Sequence, residues 1–96
     1  MYVINLSYIA SLERVDDVLE AHRAFLTRQF EAGVFVAAGP KVPRDGGISL
    51  AAGVERRRLD EILASDPFAV QQIARYEVPE FKATRLAPGL NLPTPA

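Results

Sequence analysis

From Leu12 to Phe30, apolar side chains return every three or four residues, through Val15, Val18, Leu19, Phe25 and Leu26. That spacing draws one stripe along a long amphipathic α-helix. A helix of this kind must lay its stripe on another element, and the preceding residues offer one. Tyr2 to Ile9 is rich in aromatic and β-branched residues, which suit a pleated sheet. Strand side chains alternate, so Tyr2, Ile4, Leu6 and Tyr8 share one face while Asn5 and Ser7 share the other. Ser11 is placed to cap the helix through its hydroxyl. Glu13, Asp16 and Asp17 follow in the opening turns, where the helix dipole favours negative charge. Gly33 ends the helix as a C′ residue does.

Val34 to Ala38 and Ile48 to Ala52 read as two further strands. They are joined as a hairpin by a loop from Gly39 to Gly47 that is punctuated by Gly and Pro. Glu55 to Ala64 is a second helix with Leu59, Ile62 and Leu63 facing inward. Asp66 and Pro67 restart the helical pattern as N-cap and first helical residue. A last strand is expected from Ala74 to Arg85, where Pro79 implies an edge position or a bulge. Residues 1–86 therefore form one α+β domain. A Pro-rich tail, 87–96, follows with Pro88, Pro93 and Pro95 and is expected to be irregular.

The order strand, helix, strand, strand, helix, strand is the ferredoxin-like split βαβ arrangement. It predicts a four-stranded antiparallel sheet with both helices on one face. The other face then lacks a cover. In a chain of only 96 residues, 49% of them hydrophobic, a second copy is the simplest cover, and a homodimer is expected.

Composition narrows the function classes. A net charge of -1 leaves no broad footprint for nucleic acid. Arg56, Arg57 and Arg58, flanked by Glu55 and Asp60, read as a solvated helix face. The absence of cysteine removes disulfides and thiolate catalysis. With a single histidine as well, neither a metal nor another cofactor is expected. No apolar run approaches the roughly 20 residues of a membrane-spanning helix. Met1 leads directly into a strand rather than a signal peptide. The expected location is cytoplasmic.

Six residues are candidates for chemistry. His22 lies on the apolar stripe, where it is either a core histidine tied to a backbone carbonyl or a proton-transfer group. Asp66 caps a helix, and its second oxygen is free for another task. Lys41 and Arg44 in the hairpin loop could meet an anionic substrate, the planar Arg fork suiting a carboxylate. Ser49 has no neighbouring base in sequence, and Tyr76 in a strand reads first as packing. Both are secondary candidates for substrate contact.

The segments "AHRAFL" around His22, "AGVFVAAGPKVPRDGG", Asp66-Pro67-Phe68 and "ARYEVPEF" occur in an order that resembles the YCII-related proteins. The resemblance implies a dimeric α+β barrel similar to that of muconolactone isomerases. It also implies an active-site His–Asp pair, which here falls on His22 and Asp66. One related branch performs dehydrochlorination of a chlorinated hydroxyhydroquinone. Some members carry Arg three residues before the histidine, where this chain has Leu19.

Two functions fit these expectations. One is a cofactor-free isomerase or lyase acting on a small anionic or phenolic substrate, with His22 moving the proton and Asp66 orienting the ring. The other is a small-molecule-binding or protein-interaction domain without turnover.

Overall fold

The computed structural model describes residues 1–92; Pro93 and Pro95 of the expected tail lie outside the described residues. The elements are β1 (Tyr2–Tyr8), α1 (Leu12–Glu31), β2 (Phe35–Pro40), β3 (Gly46–Ala51), α2 (Arg56–Ala64), α3 (Pro67–Val70) and β4 (Ala74–Glu77). The strands form one sheet in the order β2-β3-β1-β4, with every neighbouring pair antiparallel. The helices cover one of its faces, which is the expected ferredoxin-like α+β arrangement. Among the described residues, no helix is long and apolar enough to cross a membrane.

The helix caps behave as their residue types demand. Ser11 accepts from the Arg14 amide at 3.3 Å, and Gly33 leaves α1 at φ +75°. In β1 the alternation sorts the two faces: Tyr2, Ile4 and Leu6 are buried under the helices. Residues directly opposite on neighbouring strands share a face. Ala51 opposite Tyr2, Ser49 opposite Ile4, and Tyr76 opposite Leu6 therefore point toward the helices as well.

The hairpin departs from expectation. Its strands run on through Gly39-Pro40 and Gly46-Gly47, so the loop shrinks to five residues closed by the Lys41 amide on the Gly46 carbonyl at 2.9 Å. Glycine permits this extension, because a Cβ at Gly46 would stand 1.8 Å from the Leu6 carbonyl oxygen. Pro40 is tolerated because β2 is an edge strand, where a missing N–H breaks no ladder. The last strand is shorter than expected. β4 stops at Glu77, and the chain continues beside β1 through an isolated Tyr2–Glu80 bridge, with the Pro79 carbonyl accepting from Val3. Pro79 offers no N–H to prolong a ladder.

The core divides into two clusters. Tyr2, Ile4, Phe25, Phe35, Leu59 and Leu63 belong to one; Leu6, Val15, Phe68 and Ile73 belong to the other. His22 bridges them. Its ring stacks on Phe68 with centroids 4.0 Å apart and 8° between planes, and it lies 6.2 Å from Phe25.

Candidate active site

Three elements bring one polar cluster together. α1 supplies His22, the cap of α3 supplies Asp66, and β4 supplies Tyr76. Asp66 is only 1% exposed and is the one buried charged residue among those described. A buried carboxylate is costly unless its lone pairs are satisfied. Here Oδ1 accepts from the Phe68 amide at 3.0 Å and lies 2.8 Å from His22 Nδ1, while Oδ2 accepts from the Tyr76 hydroxyl at 2.6 Å.

An ionised carboxylate can only accept, so His22 Nδ1 carries the proton of that contact. The neutral ring then keeps an unprotonated Nε2. The His22 side chain is 13% exposed, and it lines a cavity of about 520 Å³ between α1 and the β2–β3 hairpin. Such an arrangement can serve general-base chemistry, with the carboxylate orienting the ring.

The cavity is mostly apolar. Leu19, Leu26 and Phe30 line it from α1, Tyr8 from β1, and Ala38 and Gly47 from the hairpin. At the C-terminal end of the helical stripe Phe30 borders the cavity, edge-on to Phe35 and 43% exposed.

Ser49 lines the cavity on the helix-covered face of β3. Arg44 also lines it, with its guanidinium 2.5 Å from Asp16 in an exposed ion pair. Tyr76 lines it too, although its hydroxyl is held by Asp66. Lys41 does not line it. Its ammonium donates to Ser7 Oγ at 3.1 Å, toward the other face of the sheet. The spacing of the sequence did not single out Phe68 as the stacking partner of His22, or Asp16 as the partner of Arg44. The Asp-Pro-Phe triplet is the one local signal for the first; nothing local marks the second. Among the described residues, no three His, Cys, Asp or Glu side chains gather as metal ligands would.

The Tyr76 phenol is raised well above its ordinary value near 10, first by burial and then by its hydrogen bond to, and repulsion from, the Asp66 carboxylate. A raised value means that the folded state holds the proton more tightly. The associated stability is fully present below about pH 10 and is lost as pH climbs toward the folded value. In an alkaline titration followed by phenolate absorbance, Tyr76 should ionise only as the protein unfolds. Tyr2, also buried with its phenol raised, belongs to the same late step, so Tyr76→Phe should remove one phenol from it.

The family model for the YCII-related domain matches residues 1–82. Among curated proteins, none matches the sequence significantly. A similar solved structure is that of 5-chloro-2-hydroxyhydroquinone dehydrochlorinase from Burkholderia phenoliruptrix AC1100, in complex with 2,5-dihydroxybenzoquinone. The two share 17% sequence identity and superpose with a TM-score of 0.73, over 84% of this chain and 92% of that one. At this identity the likeness establishes a shared fold.

Proposed function

The chain belongs to the YCII-related family, and from that premise we propose that it is a small-molecule enzyme, an isomerase or a lyase of dehydrochlorinase type, that works by acid/base catalysis on a His–Asp pair. The observation that carries the reading is the division of labour on one imidazole. Nδ1 is committed to a buried carboxylate, which leaves Nε2 as the ring nitrogen available to the cavity.

In this reading Nε2 takes a proton from a carbon or hydroxyl of the substrate, and Asp66 stabilises the imidazolium that forms. Isomerisation returns the proton to a different carbon. Elimination instead uses the electron pair to expel a leaving group such as chloride, and the proton passes to solvent. Ser49 and Arg44 orient a phenolic or anionic substrate. Arg44 would first exchange Asp16 for the substrate, at low cost, because exposed ion pairs contribute only about 0–1 kcal/mol. Tyr76 and Lys41 are already engaged, by Asp66 and by Ser7.

The test is to incubate the protein with 5-chloro-2-hydroxyhydroquinone and with small unsaturated lactones, following chloride release and loss of lactone absorbance. Turnover that disappears in His22→Gln supports the proposal. Saturable binding in the cavity with no turnover of any of them would overturn it in favour of a binding domain.

The same proposal includes a cytoplasmic homodimer formed through the bare sheet face. That face carries half-buried Val3, Ile48 and Leu50 beside the Asn5 side-chain oxygen, which is buried without a partner. A second copy would cover these apolar residues. Light scattering at micromolar concentration should give twice the 10.5 kDa chain mass; a monomer mass would remove this part of the proposal.

A further inference from the structure

We infer that Tyr76 is a positioning residue for the His22–Asp66 pair, holding the carboxylate in the one rotation that presents Oδ1 to the imidazole. The inference rests on reading that pair as the acid/base centre, and it concerns what keeps the pair in register.

His22 sits on α1, while Asp66 caps α3, an element of only four residues. Tyr76 is the one side chain that ties the carboxylate to the sheet. It stands opposite Leu6 on β1 and donates its hydroxyl to Oδ2 at 2.6 Å. Oδ1 takes two donors, the Phe68 amide and His22 Nδ1. Without the phenol, Oδ2 would be a buried, unpartnered acceptor. The carboxylate could then turn to share its donors between both oxygens, and the Nδ1 contact would no longer be fixed.

The donor's chemistry also suits the task. A guanidinium in the same place would cancel the carboxylate charge that imidazolium needs. A phenol satisfies the oxygen and leaves the charge in place. Burial and the carboxylate keep that phenol protonated well beyond neutral pH, so the donor stays in place throughout the neutral range.

The single histidine makes the test direct, because the ring nitrogens of uniformly 15N-labelled protein give one imidazole signature. The wild type should show the neutral ring with its proton on Nδ1. In Tyr76→Phe, with the fold verified by its amide spectrum, the neutral ring should become a mixture of the two tautomers. In Asp66→Ala, which leaves no acceptor at this position, the Nδ1–H form should lose its dominance altogether. A Tyr76→Phe imidazole signature identical to wild type, with Asp66→Ala altered, overturns the role of Tyr76 alone. An Asp66→Ala signature identical to wild type overturns the underlying pair instead. Should Tyr76→Phe not fold, site-specific Tyr76→3-fluorotyrosine keeps the ring and the hydroxyl while making the phenol more acidic. It should shift the His22 Nδ1 resonance, and an unmoved resonance overturns the inference.

Discussion

Asp66→Ala should lower the stability of the protein by about 3–5 kcal/mol, the sum of a lost helix cap and two unpaired buried donors less what relaxation recovers. Three donors converge on this carboxylate: the Phe68 amide, the Tyr76 hydroxyl and His22 Nδ1. Alanine leaves all three facing a site that is almost closed to water. Loss of the cap by itself is worth about 0.5–2 kcal/mol. The remainder comes from the Tyr76 and His22 donors, each costing about 1–3 kcal/mol when left unpaired, less whatever relaxation recovers. Asp66→Asn keeps an acceptor for the amide and should cost about half as much. Urea unfolding followed by circular dichroism measures both, and the order Ala worse than Asn is as diagnostic as the size. A midpoint unchanged in Asp66→Ala would mean that the carboxylate is not the hub of this cluster.

His22→Gln should lower kcat by about 10²–10⁴-fold, the usual contribution of one general acid/base group, with KM changing far less. Glutamine can still donate an amide proton toward Asp66 and fill part of the space against Phe68, so the fold should survive. It has no group that accepts and returns a proton near neutral pH. Loss of kcat with a preserved fold therefore separates chemistry from stability. A rate within a few-fold of wild type would place the proton transfer on another residue.

Much of this arrangement could be read from the residues, for reasons that are local. Ser11 and Gly33 bound α1 because their backbone chemistry permits little else. Asp66-Pro67 marks a helix start for the same reason. Alternation in β1 put Tyr2, Ile4 and Leu6 together on one face, and this is the face that the helices bury. The departures arose where the deciding partner lies far away in sequence. Glycine and proline at 39–40 and 46–47 signal a loop by themselves, yet the close approach of the Leu6 carbonyl turns Gly46 into a requirement for pairing.

The site follows the same rule. His22 stood out as polar on an apolar stripe, and Asp66 as a cap. Their 2.8 Å contact spans 44 residues, a separation that no periodicity encodes, and the family resemblance supplied that pairing. Lys41 and Arg44 belong to one short turn, yet one side chain goes to Ser7 and the other to Asp16 at the cavity. Charge and loop position alone could not distinguish them.

The proposed function requires His22 Nε2 to face the cavity as a free proton acceptor while Nδ1 is held by Asp66. The most direct measurement is a crystal structure of the protein soaked with a simple phenol such as catechol. The phenol ring is expected between α1 and the β2–β3 hairpin, with a hydroxyl about 2.6–3.2 Å from Nε2 and the Nδ1–Asp66 contact intact. A phenol bound outside that cavity, or an imidazole turned so that Nε2 meets the protein and Nδ1 has left Asp66, would contradict it.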